Sequence, residues 1–234
     1  LLPRARHLLR LGAWLTLSSA VTLLSSYLVT VIINRLATTS GVGIFQAGYT
    51  LVDRYGGVIF TAIAMEFYPR LVANIHSPRR TRLILNHEIS LLLAILLPAL
   101  PIFLLLLPYI LPLLFSSDFL PALPYASWAL PGMLFRAVSW CIGFLIIARA
   151  DGRLYLWVEL TSAILYVLLS VSGYLIDGFR GLGIAYSLWY LIYFIITAAI
   201  SRFHYRLPLS PRVTTLLLLS FAAWALTLFA SSLL

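Results

Sequence analysis

Two ionisable residues, Asp53 and Arg54, sit side by side inside an apolar stretch, Gly41–Leu71, that is long enough to cross a bilayer. With ~1.5 Å rise per helical residue, a span starting near Val42 carries Asp53 about 16 Å inward, near the middle of a ~30 Å hydrocarbon core. A charge at that depth costs several kcal/mol unless it meets a partner, water or a polar ligand. Neighbours on a helix point about 100° apart, so Asp53 and Arg54 cannot satisfy each other fully and at least one looks elsewhere. The spacing puts Gln46, Tyr49 and Asp53 on one face with Gly56 and Gly57, a narrow polar face. A ligand cavity and plain charge neutralisation are the two readings of that face.

A second deep charge, Arg136, lies about 20 Å from one end of its own apolar block by helical rise. Trp140, one turn on, could offer it a cation–π face. Arg136 either faces a cavity or meets a buried carboxylate, Asp53 itself being one possibility. Glu159 enters its block only about 8 Å deep, which suits either an interfacial group or an ion-coupling one. If these deep polar groups line a cavity, the substrate-binding candidates are Arg54, Arg136, Asp53, Tyr49, Gln46 and Trp140. In this reading Asp53 holds Arg54 or carries a proton.

These residues require a scaffold of membrane helices. The 234 residues are 62% hydrophobic and 10% charged, with mean hydropathy +1.01, and the apolar residues form long blocks. No soluble class has that pattern. The net charge of +9 does not point to nucleic acid, because all sixteen basic residues are arginines that mostly sit between the blocks, as the positive-inside rule requires. A lone cysteine, Cys141, excludes an internal disulfide and a cysteine metal site, and His87-Glu88 lacks the second histidine of a zinc motif. No metal and no cofactor are expected.

The fold expected is all-α: a polytopic bundle of seven transmembrane helices at about 11–33, 42–68, 89–115, 122–148, 154–176, 182–200 and 213–234. The first is rich in Ser and Thr, residues that let membrane helices approach closely. Thr38–Gly43 reads as a tight turn, Pro69 as the end of the second helix, and Arg70–Glu88 as the longest loop, with Glu66 and Arg70 paired one turn apart. Pro98, Pro101, Pro108 and Pro112 would kink the third helix. Twelve arginines fall in the basic lead-in and the loops after helices two, four and six, against Arg35 and Arg180 on the other side. That asymmetry predicts a cytoplasmic N-terminus. A start on Leu1 and a finish inside an apolar block are the expected look of a fragment.

Three stretches, GVGIFQAGYTLVDRYGGVIFTAIAMEFYPRL (41–71), LFSSDFLPALPYASWALPGMLFRAVSWCIGFLIIARADGR (114–153) and GFRGLGIAYSLWYLIYF (178–194), resemble the C-terminal half of flippases in the multidrug/oligosaccharidyl-lipid/polysaccharide exporter superfamily. The likeness is nearest to bacterial oligosaccharide flippases of capsule and O-antigen pathways. It implies one lobe of a two-lobe transporter that moves a lipid-linked, polyprenyl-diphosphate oligosaccharide across the cytoplasmic membrane by alternating access. Its implied partners are that substrate, membrane lipid and an N-terminal lobe of the same chain. Asp53-Arg54 resembles an Asp-Arg pair in the peptidoglycan-precursor branch, which carries a substrate-contact role to Arg54. Arg136 has no such counterpart, and Glu159 is the candidate for the family's cation site. A drug/cation antiporter of the same superfamily is the alternative, although a deep arginine does not suit it. A membrane glycosyltransferase, ligase or polymerase would need acids in an outer loop, where only Asp118 and Asp177 occur, so no enzyme is expected.

Overall fold

The computed structural model describes residues 2–37 and 39–231, with side chains described from Leu9 to Ala230 apart from Thr38 and Thr39. The side chains of Arg4, Arg6 and His7, the turn residue Thr38 and the end of the last expected helix, 232–234, lie outside the described residues. Among the described residues every regular element is helical. They are α1 (Leu2–Leu36), α2 (Thr39–Tyr49), a π-helical turn (Thr50–Tyr55), α3 (Gly56–Ala73), α4 (Pro78–Leu114), a 3-10 turn (Ser117–Ala122), α5 (Leu123–Ala129), α6 (Gly132–Ala148), α7 (Gly152–Ala199), a second π turn (Ile200–His204) and α8 (Pro211–Ser231).

Five stretches are single helices long and apolar enough to span a membrane, and the α5–α6 pair, bent by 57°, makes a sixth. One of the five, Gly152–His204, reverses at Asp177 (φ −147°) and Gly178 (φ +52°), a positive φ that glycine adopts without a Cβ clash. In a straight helix Glu159 and Tyr193 would stand about 50 Å apart. Here the Tyr193 hydroxyl donates to Glu159 at 2.6 Å, and Trp189 Nε1 donates to the Ser162 carbonyl at 2.9 Å. The two arms therefore run antiparallel. Gly173 and Gly181 make this possible, since a Cβ on Gly181 would run into the Gly173 carbonyl. The chain is a multi-pass membrane protein, and the reversal at Asp177-Gly178 divides Gly152–His204 into two arms where the sequence predicts two blocks, 154–176 and 182–200.

The element boundaries differ from expectation in five places. The turn expected at Thr38–Gly43 is helical from Thr39, where α2 begins. Pro69 lies inside α3, which continues to Ala73; a single lost backbone bond does not end a helix whose apolar face still packs. The long loop Arg70–Glu88 shrinks to 74–77, because Pro78 opens α4 at a first-turn position where its missing N–H costs nothing. Arg79, Arg80 and Arg82 therefore ride on helix. The four prolines of α4 leave it one continuous helix. The break falls instead in the fourth block, at Leu130-Pro131, where α5 and α6 meet at an angle.

Most of α6 is fully buried, from Met133 through Ile146. It packs on α7, α4 and α3, while α1 lies against α7 and α8 against α4. A residue on α6 is thus at the centre of the bundle, and Arg136 is such a residue.

Candidate functional site

Arg136 is held by three elements at once. Its Nη1 donates to Asp53 Oδ1 at 2.6 Å and to the Asp53 carbonyl at 3.1 Å, and reaches Tyr186 Oη at 3.4 Å. Tyr186 Oη in turn donates to Asp53 Oδ1 at 3.0 Å. The guanidinium lies over the rings of Phe60 (5.3 Å) and Tyr190 (5.7 Å). Both charged side chains are mostly withdrawn, 18% and 16% exposed. Asp53 sits in the π turn, where its carbonyl accepts from the Gly56 N–H as well as from Arg136; such turns recur at functional sites.

Arg136 forms the deep end of a cleft of about 540 Å³ between α1, α6 and both arms of α7. That volume suits a ligand. Trp140, Phe144 and Ile147 of α6 form one wall and Ser18, Ser19 and Thr22 of α1 another, with Tyr155, Glu159 and Tyr193 opposite. The cleft extends toward the arginine-rich 149–153 turn. Glu159 is half-buried in it, accepting from Tyr193 at 2.6 Å and from Thr22 at 3.4 Å. No basic group lies within ion-pair distance of Glu159 among the described residues.

Of the residues expected to bind substrate, Arg136 and Trp140 line this cleft and Asp53 anchors it from behind. The cation–π faces come from Phe60 and Tyr190, while Trp140 packs against Phe60 and Phe144. Gln46 is not in the cleft: its amide donates to Thr30 Oγ1 at 3.0 Å, tying α2 to α1. Tyr49 lines a small separate void of about 40 Å³ that also touches Glu159. Arg54 is exposed and does not line the cleft. The expected Glu66–Arg70 pair forms at 3.4 Å, but the closer partner of Arg70 is the buried Glu88, at 2.5 Å.

Tyr186, Tyr190 and Phe60 escaped the reading of the sequence. A signal was present: Tyr186, Trp189, Tyr190 and Tyr193 recur at i, i+3, i+4 and i+7, an aromatic stripe along one helix face. That stripe forms the floor of the site.

Residues 2–124 match the family described as "Polysaccharide biosynthesis protein", slightly more than half of the chain. The chain belongs to this family. No curated protein and no solved structure matches it. In this polysaccharide biosynthesis protein the matched part contains α1 through the start of α5, and with them Asp53 and the α1 wall of the cleft. Arg136 and Glu159 lie beyond it.

Proposed function

We propose that this polysaccharide biosynthesis protein translocates a lipid-linked, polyprenyl-diphosphate oligosaccharide across the bacterial cytoplasmic membrane by alternating access. The observation that carries the reading is a guanidinium, Arg136, fixed by Asp53 at the deep end of a cleft large enough for a ligand. Asp53 occupies Nη1 and orients the fork, so a diphosphate in the cleft meets a positioned, permanently charged donor. The aromatic walls suit sugar rings, which stack on such faces while their hydroxyls bond to Glu159, Ser19 and Thr22. Arg54, exposed near mid-membrane, fits a surface covered by protein or water, and we assign it to the side where a second, N-terminal lobe packs.

One observation favours a second reading, a drug/cation antiporter: Glu159 is a carboxylate among Tyr155, Tyr193 and Trp189 with hydroxyl donors and no cationic partner among the described residues. Proteoliposomes separate the two. A fluorescent polyprenyl-diphosphate oligosaccharide is expected to cross only when the protein is present, and Glu159→Gln is expected to remove any dependence of that rate on a proton or sodium gradient. Ion-driven extrusion of a cationic dye with no movement of the lipid-linked sugar would establish the antiporter instead.

The arginine-rich end is assigned to the cytoplasm. In a Cys141→Ala background, Ser117→Cys is expected to react with an impermeant thiol reagent in intact cells and Ser77→Cys only after permeabilisation. The opposite labelling would invert the orientation.

A further inference from the structure

Where α1 meets the start of α7, a second pocket of about 190 Å³ opens at the arginine-rich end of the bundle. Arg10, Leu11 and Trp14 line one side, and Asp151, Gly152 and Arg153 the other. It shares no lining residue with the Arg136 cleft. Gly152 sets its shape: a Cβ there would stand 2.9 Å from Trp14 Cβ, so glycine lets α1 close against the first turn of α7.

Two guanidiniums, Arg10 and Arg153, therefore flank one concavity from different helices. Both side chains are exposed, and neither takes part in an ion pair among the described residues. The carboxylate in the lining, Asp151, is already engaged. It accepts from Tyr205 Oη at 2.6 Å and has His204 Nε2 at 4.0 Å. Burial, with the bond to Asp151 and its charge, holds the Tyr205 phenol above its ordinary range, so the donor keeps its proton. Among the described residues neither guanidinium has closed on a carboxylate, Asp151 in the same lining being turned to Tyr205 and His204 through Oδ2. Trp14 supplies an amphipathic ring of the kind that settles at headgroup level.

We propose that this pocket binds a phosphate group at the membrane boundary, held between Arg10 and Arg153 and backed by Trp14. Basic pockets between membrane helices on the cytoplasmic side take anionic headgroups, and the guanidinium fork matches phosphate oxygens. The inference rests on a membrane-embedded bundle whose arginine-rich end faces the cytoplasm, and stands apart from the transport reading. Two sources carry the chemistry: the headgroup of an anionic phospholipid, and free phosphate in the cytosol.

The test uses the intact protein in phosphatidylcholine nanodiscs, with and without phosphatidylglycerol, and with inorganic phosphate added to the plain discs. Arginines are modified with phenylglyoxal and the rate at each site is read by peptide mass spectrometry, the exposed Arg79 of α4 serving as the reference. Slower modification of Arg10 and Arg153, but not of Arg79, on adding phosphatidylglycerol establishes the site with a lipid ligand. The same protection by inorganic phosphate in plain discs establishes it with a soluble one. No protection by either, or equal slowing at Arg79, overturns the proposal. In a second measurement Arg10→Gln with Arg153→Gln is expected to weaken phosphatidylglycerol binding roughly 30-fold, the value of two interfacial arginines. The corresponding double lysine variant is expected to retain most of the affinity. Unchanged affinity in the glutamine variant would also overturn it.

Discussion

Replacing Asp53 by asparagine is expected to destabilise the folded protein by about 3–5 kcal/mol, the usual cost of removing one partner from a buried ion pair. The carboxylate is the one anion that Arg136 meets among the described residues, at 2.6 Å and with both side chains mostly withdrawn. Without it the guanidinium keeps the Phe60 and Tyr190 faces and the Tyr186 hydroxyl, none of which carries a neutralising charge. Arg136→Gln is expected to cost less, because Asp53 retains the Tyr186 hydroxyl at 3.0 Å. The double variant, Asp53→Asn with Arg136→Gln, leaves two neutral groups of similar size and no uncompensated charge, so it is expected to be more stable than Asp53→Asn alone. Thermal unfolding in detergent, followed by the monodisperse fraction on size exclusion, reads all three. Strict additivity of the two single effects would show that the pair is not coupled.

The passes were legible from residue types because each is a long apolar block, and a block of that length has few structural options in lipid. The reversal inside Gly152–His204 was legible too, since Asp177-Gly178 interrupts an otherwise apolar run. What the sequence hid depends on tertiary contacts. Arg79, Arg80 and Arg82 read as loop by composition, whereas Pro78 starts a helix there. The π turn at Thr50–Tyr55 has no marker of its own; it arises where Asp53 meets Arg136 and Tyr186 from other elements. The depths of Asp53 and Arg136 made their pairing one of two readings, and only packing chooses between them. Arg54 is the sharpest lesson, for it adjoins Asp53 in the chain yet is exposed and does not line the cleft, because one residue of helix turns a side chain by about 100°. Glu159 stood out as a charge in an apolar block, but its partners Tyr193 and Thr22 come from other passes, 34 and 137 residues away.

The central claim is that Arg136 serves a ligand and not merely Asp53. A guanidinium that only neutralises a carboxylate becomes dispensable once the carboxylate is gone, whereas one that grips a diphosphate does not. The decisive measurement is surface polysaccharide in cells lacking their own copy of the gene and expressing the Asp53→Asn, Arg136→Gln double variant, with protein level in the membrane checked by blot. The variant is expected to accumulate near the wild-type level and yet to put essentially no polymer on the surface. Arg136→Lys, which keeps the charge and loses the planar fork, is expected to support a reduced amount. Normal surface polymer from the double variant would contradict the account, because it would leave Arg136 with a structural role alone.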